Sequence, residues 1–156
     1  MNFGQNTDRP LDATFTFYGE YTRAVDAKGR FALPFRFRQG GSGAVEEKYV
    51  VTKGADGTLT LQPKMVYDAR LQRMNLAPPS AELRANIRRM SRSAIEVKPD
   101  SQGRVAVTPE ILKKFGIRKK ITVVGMGSYM ELWDPGTLEK LDTDEVDSGF
   151  MDEFYR

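Results

Sequence analysis

The chain contains no cysteine, no histidine and no apolar run long enough to cross a bilayer. Without cysteine there is neither a disulfide scaffold nor a thiolate metal site. Without histidine the commonest general base and the commonest metal ligand are missing. A membrane-spanning helix needs roughly 20 consecutive apolar residues, and no stretch approaches that, so no membrane partner is expected. Met1 to Pro10 is polar and lacks the apolar segment of a secretory signal; a cytoplasmic location is the expectation. Walker and G-x-S-x-G motifs are also missing, and Gly125-Met126-Gly127 lacks the third glycine of a dinucleotide loop. The chain therefore reads as a non-enzyme, with no catalytic residue, metal, cofactor or small-molecule substrate expected.

What is present is an ordinary globular composition with an uneven charge. The 156 residues are 40% apolar and 29% charged, which suits one domain or two small lobes sharing a core. Net charge is only +3, yet residues 18–120 hold 21 Lys/Arg against 10 Asp/Glu, whereas residues 121–156 hold 2 against 9. A basic body followed by an acidic tail points to a polyanionic partner for the body. The tail either stays solvated or screens the body.

The chain also repeats itself. Asp26-Ala27-Lys28-Gly29-Arg30 leads into Phe31-Ala32-Leu33-Pro34, and Asp100-Ser101-Gln102-Gly103-Arg104 leads into Val105-Ala106-Val107-Thr108-Pro109. Asp, Gly and Arg recur at an offset of 74 residues, and Leu59-Thr60-Leu61 is answered by Met130-Glu131-Leu132 at an offset of 71. The repeated object is thus a whole supersecondary unit.

Each unit reads as strand, turn, strand, helical turn and hairpin. Tyr21 to Val25 and Arg30 to Leu33 flank a turn in which Asp26 accepts from backbone N–H groups and Gly29 supplies a positive φ. Pro34 opens a helical turn that Gly40-Gly41 ends. Tyr49–Thr52 and Thr58–Leu61 form a hairpin, as do Ile121–Val124 and Tyr129–Trp133. Between the units, Pro63 to Asn75 is helical with Tyr67, Leu71 and Met74 on one face. A second helix follows, capped by Ser80, with an apolar stripe through Leu83, Ile87, Met90 and Ala94. Thr108-Pro109-Glu110 opens a helix closed by Gly116. The fold expected from the residues is α+β, a largely antiparallel sheet or small barrel made by packing the two units together.

The Asp26/Arg30 and Asp100/Arg104 pairs carry the sharpest signal, with two readings. Either each ion pair only locks its turn, worth about 0–1 kcal/mol when exposed, or the carboxylate holds the turn while Arg and Lys project toward phosphates or guanine edges. Lys28 becomes Gln102 in the second copy, so the first turn is the more cationic. Arg23, Lys28, Arg30, Arg36 and Arg38 form one cationic cluster. Phe35 and Phe37 alternate with its arginines and read first as core or subunit contacts. Arg84, Arg88 and Arg92 read as a solvated helix face, Lys113, Lys114, Lys119 and Lys120 as a solubilising edge, and Trp133 as a packing residue. A carboxylate dyad of Asp26 and Asp100 is disfavoured, because an Arg beside each would spoil a shared proton.

These motifs resemble those of the MraZ family, whose units belong to the AbrB/SpoVT swapped-hairpin superfamily. The resemblance rests on Tyr18-Gly19-Glu20-Tyr21 before Asp26–Arg30, on Pro34 with Arg36 and Arg38, on the second Asp100-x-x-Gly103-Arg104 with Pro109, and on Glu131-Leu132-Trp133-Asp134. It spans about residues 17–141. One Asp-x-x-Gly-Arg is a weak motif; two at this separation are specific. The resemblance implies two tandem AbrB-like β-rich units forming one pseudo-twofold swapped-hairpin barrel, with helices between and after them. The expected organisation is a flexible extension at 1–16, a first unit at 17–66, connecting helices at 67–92, a second unit at 93–136, and a C-terminal helix and acidic tail at 137–156. It also implies a transcription regulator, acting by repression, that binds double-stranded DNA at direct repeats in the promoter of the division and cell-wall gene cluster. Such a protein works as a ring-like homo-oligomer in cytoplasm and nucleoid; the alternatives are a structural oligomer that binds DNA or RNA nonspecifically and an accessory factor that docks a protein partner. Lys28, Arg30, Arg36 and Arg38, with Arg23 beside them, become the expected DNA contacts. Asp26, Gly29, Asp100, Gly103 and Arg104 become the turn-forming residues.

Overall fold

The computed structural model describes residues 16–38, 48–54 and 56–141. The expected N-terminal extension, the Gly40-Gly41 helix stop and the acidic tail lie outside them, apart from residue 16. Eight strands and four helices follow in chain order: β1 (Glu20–Ala24), β2 (Arg30–Ala32), β3 (Tyr49–Lys53), β4 (Leu59–Pro63), α1 (Lys64–Leu76), α2 (Ala81–Ser93), β5 (Ile95–Val97), β6 (Arg104–Ala106), α3 (Pro109–Lys114), β7 (Lys120–Gly125), β8 (Met130–Trp133) and α4 (Pro135–Leu141). A single 3-10 turn, Phe35–Phe37, follows Pro34. This is an α+β fold in which all strand pairings are antiparallel.

The two copies exchange strands. A six-stranded sheet runs β1-β7-β8-β4-β3-β5, and β2 pairs with β6 in a separate ribbon. The first strand of each copy therefore pairs with the hairpin of the other: Thr22 faces Thr122, and Glu96 faces Val50. A pseudo-twofold axis passes through the pairs Thr60/Glu131 and Phe31/Val105, about which the registers mirror one another. Leu59 faces Leu132 and Leu61 faces Met130 on one side, while Arg30 faces Ala106 and Ala32 faces Arg104 on the other.

The expected barrel is not closed. Among the described residues β1 and β5 are the two free edges of the sheet, because the three-residue strands β2 and β6 bond to each other instead of joining those edges. Closure comes from packing. One sheet face presents Ile121, Val123, Leu132, Leu59, Leu61 and Val51, all buried, and the ribbon adds Phe31 and Val105 to the same core. Burying side chains of this size stabilises by about 1.5–3 kcal/mol each relative to exposure. The opposite face is covered by helices: α1 packs on β4 and α2 on β3.

Local chemistry explains the helix ends. The Ser80 hydroxyl accepts from Leu83 N–H at 3.0 Å and starts α2. Asp134 accepts from the backbone N–H and the hydroxyl of Thr137 and starts α4. Gly116, at φ +75°, ends the short helix α3. In α1 the buried face is Val66, Tyr67 and Ala69, whereas Leu71 and Met74 are only half-buried. The expected stripe on α2 holds, but Leu83, Ile87 and Met90 are half-buried because the helix lies at the protein surface. Trp133 is buried and donates from Nε1 to Glu131, as a packing residue should.

Candidate nucleic-acid interface

Both Asp–Gly–Arg turns fold the same way, atom for atom. Asp26 Oδ1 accepts from the N–H groups of Lys28 and Arg30, each at 2.9 Å, and Asp100 Oδ1 accepts from those of Gln102 and Arg104, each at 2.9 Å. The second carboxylate oxygen accepts from the guanidinium Nε, at 2.6 Å from Arg30 and 2.9 Å from Arg104. Gly29 N–H donates to the Asp26 carbonyl and Gly103 N–H to the Asp100 carbonyl. The spacing is dictated by this pattern: one carboxylate reaches two backbone donors and one side chain only if the Arg sits four residues on.

The electrostatics follow. The Arg30 backbone N–H, then its guanidinium, hold the Asp26 carboxyl down from 3.8 to about 2. The Arg104 backbone N–H lowers Asp100 in the same sense. Both carboxylates are therefore ionised and satisfied near neutral pH, and neither is available to share a proton.

The two glycines are fixed by the interlocking of the copies. Gly29 has φ +79° and Gly103 φ +76°, a region other residues resist. The Gly29 carbonyl accepts from Val107 N–H at 3.0 Å, and the Gly103 carbonyl accepts from Leu33 N–H at 3.1 Å. Each turn is thus stitched to the strand leaving the other. A Cβ on Gly29 would overlap the Val107 carbonyl, and one on Gly103 would overlap the Arg38 guanidinium.

This places the two arginines side by side. In the β2–β6 ribbon, Arg30 and Arg104 are diagonal neighbours on one face, with Ala32 and Ala106, while Phe31 and Val105 point to the core. Diagonal neighbours of this kind lie about 7–8 Å apart. Each arginine spends Nε on its aspartate, and among the described residues neither has a partner for its two Nη groups. A half-exposed guanidinium, held by its inner nitrogen and offering an outer fork, is suited to a phosphate or to the acceptor edge of guanine. Lys28 is exposed at the tip of the first turn. The first turn carries one net positive charge and the second none, from Asp26, Lys28 and Arg30 against Asp100 and Arg104.

The other cationic residues of the sequence cluster are arranged on aromatic rings. Arg23 lies 5.5 Å from the Tyr21 ring centroid, Arg36 5.2 Å from Tyr18, and Arg38 5.2 Å from Phe35. Phe37 is core, edge-on to Phe17 and Tyr21, whereas its neighbour Phe35 is exposed. Arg38 reaches across to the second turn, over Gly103, and its Nε is buried with no hydrogen-bond partner among the described residues. It is therefore set apart from Lys28 and Arg30, which the sequence grouped with it. Tyr18 and Tyr21, the rings beneath Arg36 and Arg23, stand just before the cationic cluster in the sequence. Arg84, Arg88 and Arg92 are exposed on α2, as are Lys113, Lys114, Lys119 and Lys120 around α3. Among the described residues no group of His, Cys, Asp or Glu could hold a metal ion, and no helix is long and apolar enough to cross a membrane.

A duplicated turn with exchanged strands and paired, pre-oriented arginines defines a two-repeat α+β protein built around a basic ribbon. The chain belongs to the MraZ family: the family model described as "MraZ protein, putative antitoxin-like" matches residues 16–89 and 90–153. Among similar proteins, the transcriptional regulator MraZ of Acetivibrio thermocellus is 34% identical over 132 residues, 83% of this chain and 88% of the relative. That of Burkholderia cenocepacia is 33% identical over 136 residues, covering 87% and 94%. That of Burkholderia mallei is 36% identical over 121 residues, covering 78% and 84%.

Proposed function

We propose that this chain is a transcription regulator that binds double-stranded DNA through the β2–β6 ribbon and its two turns. One observation carries the reading. Arg30 and Arg104 lie on a single outward face, each held at Nε by its own aspartate, with the outer nitrogens unengaged among the described residues. Pre-orientation lowers the ordering cost of each contact to a phosphate or base edge. Arg30 and Lys28 make the stronger half of the interface, because the second turn has Gln102 in place of the lysine. Arg23, Arg36 and Arg38 flank the ribbon and position the DNA backbone.

One protomer offers few such contacts, so the functional form is a ring-like homo-oligomer. Its copies engage direct repeats in the promoter of the division and cell-wall genes together, gaining affinity by avidity. Binding occludes the promoter and represses it, in the cytoplasm and at the nucleoid. In this reading residues 17–66 and 93–136 are the two units of one swapped-hairpin module.

The test is competition between a duplex carrying the repeats upstream of the protein's own gene and a scrambled duplex, at one salt concentration. Specific recognition predicts retention on the repeats by at least about 10³-fold. Equal competition reduces the site to nonspecific nucleic-acid binding, and failure of both duplexes to bind removes DNA from the account. A promoter reporter should rise when the gene is deleted; a fall would reverse the sign to activation.

A further inference from the structure

The two turns share one backbone geometry but differ in chemistry at their exposed tips. Lys28 stands at the tip of the first, and Gln102 holds the same place in the second. In each, the backbone N–H of that residue donates to its aspartate Oδ1 at 2.9 Å, so the side chain leaves from a fixed point. One tip is therefore a cation. The other is a neutral amide that offers both a donor and an acceptor.

The register sets how far apart the tips act. Beyond the paired strands the ribbon gains one bond at each end, from Val107 N–H to the Gly29 carbonyl and from Leu33 N–H to the Gly103 carbonyl. With Phe31 opposite Val105 at the centre, Gly29 and Gly103 lie four strand steps apart along the ribbon. At about 3.3 Å per step the separation is about 13 Å, close to four base steps of about 3.4 Å. A two-stranded ribbon fits the major groove. Its two ends then fall on different base pairs of one short element.

The second end does not need its tip for grip. The Arg38 guanidinium, which comes from the first unit, packs over Gly103. A Cβ on Gly29 would meet backbone and proline atoms instead. The first end thus carries its extra cation at the tip, whereas the second carries it behind the tip, leaving Gln102 to do another job.

We infer that Gln102 is a base-reading residue whose target is adenine, and that it gives each bound element a direction. The inference rests on the ribbon being the DNA interface. A glutamine amide matches the N6 donor and N7 acceptor of adenine in the major groove, whereas lysine, with donors only, suits guanine or a phosphate. Two identical tips would read an element equally well in either orientation. One cation and one amide do not.

The test is a panel of duplexes in which each base pair of one repeat element is replaced in turn, competed at one salt concentration. For the unaltered protein, replacing one A·T pair should cost at least about fivefold in affinity through the lost amide contact. Gln102→Ala keeps the backbone N–H that Asp100 holds, and should flatten the preference at that pair to within about twofold while sparing the others. Lys28→Ala should instead weaken all duplexes about equally and make the salt dependence shallower. Gln102→Lys should bind more tightly, with a steeper salt dependence, yet still lose the preference for adenine. If the unaltered protein prefers the repeats and Gln102→Ala keeps the same base profile, the inference is overturned alone. A loss confined to a G·C pair overturns the adenine assignment in the same way. An unaltered protein that binds repeat and scrambled duplexes equally overturns the DNA reading beneath it as well.

Discussion

Three glycines with nearly the same backbone conformation occupy very different surroundings, and this makes a controlled experiment. Gly29, Gly103 and Gly57 have φ of +79°, +76° and +70°. Replacing any of them by alanine forces a Cβ into left-handed backbone, at about 1–2 kcal/mol. At Gly57 no described residue beyond its chain neighbours lies within 4 Å of the new atom, so that is the whole cost. At Gly29 the Cβ meets the Val107 carbonyl. The ribbon must shift, adding about 1–3 kcal/mol of overpacking. The 3.0 Å bond from Val107 N–H to the Gly29 carbonyl is strained or lost, adding about 0.5–1.5 kcal/mol. Gly29→Ala should therefore cost about 2.5–6.5 kcal/mol. Gly103→Ala should fall between, because the obstacle there is the Arg38 side chain, which can swing aside. Urea denaturation of the three variants, followed by far-UV circular dichroism, gives the ranking directly. Equal costs for Gly29→Ala and Gly57→Ala, within about 0.5 kcal/mol, would refute the claim that the turns are interlocked.

Three further outcomes follow from the same geometry. Asp26 has a folded pKa of about 2 against an ordinary 3.8, so its stabilising contribution is present above pH 3.8 and disappears as pH falls through 2. Carboxyl-carbon NMR should show that midpoint, and Arg30→Ala should raise it only part way, since alanine keeps the backbone N–H that is the largest cause; a full return to 3.8 would contradict the assignment. Ser80→Ala removes the cap of α2 and should cost about 0.5–2 kcal/mol, read as a lower urea midpoint. Thr58 donates from a buried hydroxyl to the Leu132 carbonyl at 2.7 Å, tying the two hairpins together, and Thr58→Val should cost about 1–3 kcal/mol; no shift in the thermal midpoint would show the bond to be idle.

How far the sequence revealed this molecule depends on the range over which each interaction acts. The Asp–Gly–Arg turns were readable because all their hydrogen bonds close within five residues, and the Ser80 cap and the β3–β4 hairpin were readable for the same reason. The duplication itself predicted that two copies pack together. The strand exchange was not readable from local pattern: Thr22 pairs with Thr122, a hundred residues away, and β1 has the same alternation whichever hairpin it joins. The open edges at β1 and β5 depend on β2 and β6 choosing each other, which propensity does not address. Arg38 is the clearest displacement at the site. It looked like a member of the first turn's cationic run, but the Pro34 bend carries it over Gly103 of the second turn, where the missing Cβ leaves room for a guanidinium. Phe35 and Phe37, two residues apart in one 3-10 turn, separate into a surface ring and a core ring because only one can face the Phe17 and Tyr21 cluster.

The most direct test of the central claim is the salt-dependent affinity of Arg30→Ala for the repeat-bearing duplex, with native mass measured on the same sample. The account predicts an unchanged oligomer mass, an affinity lower by at least about tenfold, and a shallower dependence on salt because a phosphate contact is lost from every engaged protomer. Unchanged affinity and salt slope in Arg30→Ala, or an equal loss in Arg84→Ala on α2, would contradict it.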